Sequence, residues 1–203
     1  MHERTRTPSV TVAPRGIRVA ARACPHVTTA AERQLAVEHW LLAAAPNRVQ
    51  ARTEWDDRHV ALLSCGTIFS AVRIPASVVQ AAARSTEPVV IDAYLVAALL
   101  EGPVICDRYA DWYYALVPAS TAARWDVSST VCLGRQSSLG VPRPGRTGAD
   151  GVRVYWSVPM DSPAMLCLPQ AVAQLVAASR WSLAQPGPRP TGLTKGTRAQ
   201  RHK

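Results

Sequence analysis

Residues 132–159 constrain the fold more than any other part of the chain. They read Cys132-Leu-Gly-Arg-Gln-Ser-Ser-Leu-Gly-Val-Pro-Arg-Pro144, then a Gly-containing polar turn, then Val152-Arg-Val-Tyr-Trp-Ser-Val-Pro159. Apolar and aromatic runs bounded by Gly and Pro predict strand, loop, strand. The first strand ends at Pro142-Arg-Pro144, because proline donates no N–H to a ladder. Connections this short join antiparallel neighbours, since a parallel return needs a long crossover.

The rest of the chain supplies helices for this sheet. Thr29-Ala-Ala-Glu32 is a capping box, in which the hydroxyl takes an orphan amide and the glutamate reaches back. It opens a helix over 29–45 with Leu35, His39 and Leu42 on one stripe and Trp40 nearby, stopped by Pro46-Asn47. Residues 59–64 predict a buried strand, Cys65-Gly66 a turn, and 67–74 a second strand, a hairpin-like pair. Pro75 suits the start of a helix over 75–85, and a further helix over 91–101 ends at Gly102-Pro103. Residues 104–106 and 112–117 predict strands around a polar turn at 107–111. Pro169 opens a last helix over 170–181, with Val172, Leu175 and Val176 on its apolar side. The order predicts an α+β fold, a mostly antiparallel sheet flanked by helices.

Charge is unevenly placed. The chain has 203 residues and a net charge of +9. Arg4, Arg6, Arg15, Arg18 and Arg22 face only Glu3 at the start. Arg180, Arg189, Lys195, Arg198, Arg201 and Lys203 have no acid among them at the end. The middle is close to neutral. Residues 1–27 therefore read as a disordered basic arm, 28–182 as one domain, and 183–203 as a disordered basic tail. Such arms bind polyanions, DNA or RNA, with little sequence choice. Arg15, Arg18 and Arg22 interrupt any signal-peptide core, and the longest apolar stretch, 89–100, contains Asp92 and is too short for a bilayer. The expectation is a protein with no membrane partner, placed in the cytoplasm. The five cysteines, at 24, 65, 106, 132 and 167, fit reduced thiols there. Cys24 and His26 are the one close Cys/His pair and supply too few ligands for a structural zinc.

With this element order, Gly140-Val-Pro-Arg-Pro144 and Tyr155-Trp-Ser-Val-Pro159 resemble the Gly-rich turn, Val-x-Pro-Pro and Tyr-x-Trp segments of the bifunctional DNA primase/polymerase N-terminal domain, a branch of the archaeo-eukaryotic primase superfamily. The resemblance spans roughly residues 33–180 and implies a primase/polymerase-core-like fold. In that family, carboxylates at i and i+2 of one strand hold magnesium or manganese ions that clamp the attacking and leaving oxygens. The matching strand here offers Ala71 and Arg73, or one residue on, Val72 and Ile74. Counting back from Pro118, Trp112 stands where the resemblance implies a phosphate-binding histidine. Val131 and Cys132 stand where it implies a third acid, and Asp126 lies too far upstream. The catalytic positions Ala71, Arg73, Trp112 and Cys132 are thus degenerate, and the resemblance leaves neither catalytic residue nor metal ligand nor cofactor.

Other chemistries find little support. Trp55-Asp-Asp-Arg-His59 reads as a charged turn before a strand, since adjacent strand residues point apart and Asp56 and Asp57 would not share one metal. There is no Gly-x-Ser-x-Gly elbow and no Gly-x-x-x-x-Gly-Lys phosphate loop. Trp112, Tyr113, Tyr114, Tyr155 and Trp156 cluster on two late strands. With Arg135, Arg143 and Arg153, the pair Tyr155 and Trp156 would stack bases if the sheet face is open. The expected function is that of a catalytically degenerate primase/polymerase-like protein, an accessory or regulatory nucleic-acid-associated module. Two alternatives stay open: a protein-interaction scaffold without nucleic-acid binding, and a nucleotidyltransferase that uses other acids.

Overall fold

A computed structural model describes residues 29–148 and 151–184. The basic arm expected at 1–27, the Cys24/His26 pair, and the tail from 185 onward lie outside the described residues.

The capping box forms as its spacing requires. Thr29 Oγ1 accepts the Glu32 amide at 3.2 Å and Glu32 returns to the Thr29 amide at 2.7 Å, starting α1 (Ala30–Leu42). Its buried stripe is Val37, Leu41 and Leu42, whereas Leu35 is 52% exposed. The expected stripe was therefore rotated from the observed one. Asn47 does not merely end α1. Its side chain accepts the amides of Val49 and Gln50 and opens α2 (Arg48–Arg58), where a charged turn was expected. Only Ala51 and Trp55, one turn apart, are buried on α2. Apart from the exposed Val49, the rest of that helix is polar, which hid its periodicity.

The strands are β1 (Val60–Ser64), β2 (Phe69–Pro75), β3 (Val104–Asp107), β4 (Trp112–Pro118), β5 (Val131–Leu133), β6 (Ser138–Pro142) and β7 (Val154–Val158). The expected hairpin of β1 with β2 does not form. β2 instead lies in a five-stranded antiparallel sheet of order β5-β2-β4-β3-β7, and β1 pairs with β6 in a separate two-stranded sheet. The Cys65-Gly66 turn carries the chain from one sheet to the other. Gly66 has φ +80, and a Cβ there would meet the Arg135 backbone nitrogen at 2.4 Å, so the crossing needs glycine.

Helices α3 (Ala76–Ala83), α4 (Pro88–Ala98) and α5 (Pro169–Ala184) complete the described elements, with a 3₁₀ turn at Ala119–Ala123. Pro75 caps α3 rather than opening it, and α4 begins at Pro88, earlier than expected, with proline in its first turn. The fold is α+β, as expected.

Alternation along the strands gives the large sheet two buried faces. Phe69, Ala71, Ile105, Leu116, Val154 and Trp156 face α1, α2 and the small sheet. Val72, Ile74, Val104, Ala115, Tyr155 and Val158 face the layer of Val79, Ile91, Leu95 and Val172 from α3, α4 and α5. Indole hydrogen bonds tie the small sheet down. Trp55 Nε1 donates to the Val141 carbonyl at 2.9 Å, and Trp156 Nε1 donates to the carbonyls of Pro142 at 3.1 Å and Arg143 at 3.2 Å. Glu54 accepts the Leu62 amide at 3.0 Å and so occupies part of the outer edge of β1. No helix among the described residues is long and apolar enough to cross a membrane.

Candidate functional site

A cleft of about 370 Å³ opens where the two sheets meet. Val60 of β1 and Leu139 and Gly140 of β6 form one wall. Asp107 of β3, Tyr114 of β4 and Val154 of β7 form the other, and Arg58, Arg146, Arg153 and Val152 complete the lining.

Arg58 is brought from far along the chain to Arg146 and Arg153, which lie seven residues apart between β6 and β7. Arg58 is the last residue of α2. Arg146 lies in the turn after β6, where its carbonyl accepts the Trp156 amide at 2.9 Å and so docks the turn on β7. Arg153 immediately precedes β7, and its carbonyl accepts the Arg108 amide at 3.0 Å. Among the described residues, Arg58 and Arg146 form no ion pair.

Asp107 is the one acid among the described residues that line the cleft. Its Oδ1 already accepts the amides of Tyr109 at 3.1 Å and Ala110 at 3.2 Å, which shapes the β3–β4 turn. Its contact with Arg153 Nε is long, at 3.7 Å. Positive charge therefore exceeds negative in a walled cleft, where the low-dielectric sides focus the field. Burial, reinforced by Asp107 and opposed by Arg73, raises the Tyr114 phenol above its ordinary value. At neutral pH it is a neutral hydroxyl that can give and accept a hydrogen bond.

Two of the four degenerate positions, Arg73 and Trp112, pair with residues that line this cleft. Arg73 lies across from Tyr114 and from Val131, and Trp112 lies across from Asp107. The Arg73 guanidinium carbon stands 4.5 Å from the Trp112 ring centroid, a cation–π stack. Arg73 Nε is buried without a hydrogen-bond partner among the described residues. Ala71 is fully buried on the same sheet face. Cys132 pairs with Val72 and turns to the opposite face, where burial pushes its thiol up to about 11. A divalent cation needs oxygen ligands. An alanine, a tryptophan, a half-buried thiol and a guanidinium do not fit magnesium or manganese. Among the described residues, no three His, Cys, Asp or Glu side chains stand close enough to hold a metal ion.

The arginines and aromatics expected to form one binding face are dispersed. Arg153 lines the cleft. Arg143 is paired with Asp56 at 2.9 Å, and Arg135 lines a separate hollow with Gly66, Thr67 and Ser120. Tyr155 and Trp156 are each 1% exposed, so neither offers a ring to a base. They belong to opposite core layers because β7 is covered on both faces. Asp56 and Asp57 lie on α2 rather than in a turn, both exposed, and Asp56 pairs with Arg143. Arg58, Arg146, Tyr109 and Tyr114 carry no motif. Their sites are made by sheet pairings that join residues far apart in the chain.

Tyr155 has a structural task instead. Its hydroxyl donates to Asp92 Oδ1 at 3.4 Å, and the Ser157 hydroxyl donates to the same oxygen. Burial raises the Asp92 carboxyl above its ordinary value, while the two hydroxyls oppose the shift. The folded state thus holds this proton more tightly than the unfolded chain does. Its contribution is present below the ordinary aspartate pKa and is lost as pH rises through the raised value. Asp92→Asn keeps the accepting oxygen and removes the buried charge. Near neutral pH the variant should melt above the wild type, and the gap should close as pH falls to about 4. Thermal unfolding across that range checks it. A lower melting temperature for the variant at neutral pH would show that the carboxylate stabilises the fold.

Searches of family models, curated proteins and solved structures find no match to this chain.

Proposed function

We propose that this protein is a nucleic-acid-associated module, similar in design to a primase/polymerase core but degenerate at the catalytic positions, with an accessory or regulatory role. One observation carries the reading: Arg58 and the loop-flanking pair Arg146 and Arg153 converge on one cleft, where the one acid among the described lining residues is committed to a backbone turn. Guanidinium groups are the side chains best suited to phosphate, because their planar fork matches two oxygens at once. The basic ends of the sequence add charge that is indifferent to base sequence. Arg73, stacked on Trp112, occupies the sheet face where the resemblance would place metal ligands, and a cation there repels a metal. The free thiols of Cys65, Cys106, Cys132 and Cys167 suit a reducing compartment, and we place the protein in the cytoplasm.

A scaffold reading has its own support in α4, whose Val89, Val90 and Val96 are exposed. The two readings differ in their response to salt. Fluorescence anisotropy of the full chain with short labelled single-stranded and duplex DNA should show affinity falling steeply as salt rises. Absence of binding at low salt would favour the scaffold. Primer extension or synthesis by the purified chain with magnesium or manganese and nucleotides would overturn the degenerate reading.

A further inference from the structure

We infer that Tyr109 is a base-stacking platform that directs single-stranded nucleic acid into the arginine cleft. This rests on the proposed nucleic-acid reading and adds to it the form of the ligand.

Tyr109 sits at the tip of the β3–β4 turn and is 78% exposed, an unusual position for a large ring. The turn holds it there. Asp107 Oδ1 takes the amides of Tyr109 and Ala110, and Asp111 adopts a left-handed conformation at φ 58 to bring the chain back into β4. One face of the ring is covered by Arg153, whose guanidinium carbon lies 5.5 Å from the centroid. That same arginine lines the cleft, so ring and cleft are joined through one side chain. A smaller hollow of about 240 Å³, lined by Arg108, Tyr109, Gly151 and Val152, shares Val152 with the cleft and continues it toward the ring.

The arrangement pairs a π-face open to solvent with guanidinium groups one side chain away. A nucleotide presents the complementary pair, a flat base and a phosphate. Base–aromatic stacking tolerates any base, because every base has a π-face. A duplex buries its bases in its own stack, so only an unpaired base is free to lie on Tyr109 while its phosphates meet Arg153 and its neighbours. The cleft alone would take phosphates from either form. Tyr109 is what distinguishes a single strand from a duplex.

The test uses the full chain with labelled single-stranded DNA, single-stranded RNA of the same sequence, and duplex DNA, at one salt concentration. Tyr109→Ala should weaken binding of a single strand about tenfold, and Tyr109→Phe should not, since stacking needs the ring and not the hydroxyl. Duplex affinity should stay within about twofold of the wild type in both variants, because phosphate contacts supply most of that binding. A loss confined to DNA or to RNA still supports the inference and identifies the strand. Equal losses on single strand and duplex, or unchanged single-strand binding by Tyr109→Ala, would overturn it while leaving the cleft reading intact. If the wild type binds none of the three, both readings fall. Matching melting temperatures for the wild type and both variants exclude a folding defect, as an exposed turn residue predicts.

Discussion

Trp156→Ala should cost about 3–5 kcal/mol of folding stability, the range for emptying a buried aromatic site. That is a large part of the roughly 5–15 kcal/mol that holds a domain together. Three effects combine. The indole is 1% exposed and packs in the layer between the large sheet and α1 and α2. Its removal leaves a cavity whose walls, Ile105 directly across on β3 among them, are fixed by strand pairing and collapse poorly. Its Nε1 also serves the carbonyls of Pro142 and Arg143 at the end of β6. Those acceptors lose their donor, and the small sheet loses its link to β7. Trp156→Phe separates the contributions, since it keeps most of the volume and forfeits the donor, at a cost nearer 1–3 kcal/mol. Urea denaturation followed by circular dichroism measures both. A Trp156→Ala loss below about 1 kcal/mol would show that the site relaxes freely.

Tyr155 and Trp156, expected at a binding surface, are buried strand residues. Strand alternation tells which residues share a face, but not whether that face is covered. β7 is buried on both sides because helices lie on one face of the sheet and a second, small sheet lies on the other. That second layer was invisible in the sequence. It exists because β1 leaves its neighbour β2 to pair with β6, across more than seventy intervening residues. The turn at Cys65-Gly66 marked the break correctly, yet local signals cannot say whether two strands joined by a turn become partners. Elements with a clear local cause were legible: the Thr29 capping box, the proline at the start of α5, and Val172, Leu175 and Val176 on its inner face. α2 was missed because its cap, Asn47, reads equally as a stop and a start, and because two buried residues in eleven leave no stripe to detect. The candidate cleft suffered most. Arg58 and Arg153 were visible as charges, but only the closure of the two sheets brings them to Arg146.

Replacing all three cleft arginines, Arg58→Ala, Arg146→Ala and Arg153→Ala together, should weaken binding of a single strand by about two orders of magnitude at moderate salt. Each guanidinium–phosphate contact is a charge-assisted hydrogen bond worth roughly 1.5–3 kcal/mol when well formed, and partial exposure here reduces it. Arg153 is the most coupled of the three, since its loss also uncovers Tyr109 and removes the ion-pair partner that Asp107 has among the described residues. The salt response is the more diagnostic reading. If all three contact phosphates, the slope of log affinity against log salt should fall by about 2 for a single strand, at roughly 0.7 per contact. A slope that persists in the triple variant measures what the rest of the chain contributes, the basic ends included. Arg143→Ala serves as the control, because Arg143 already pairs with Asp56 and lines no part of the cleft. It should change affinity by less than about threefold, in line with a surface ion pair of small net energy. An unchanged slope in the triple variant, with its fold intact by circular dichroism, would remove the cleft from the binding surface. Binding would then rest on the charge at the two ends of the sequence alone.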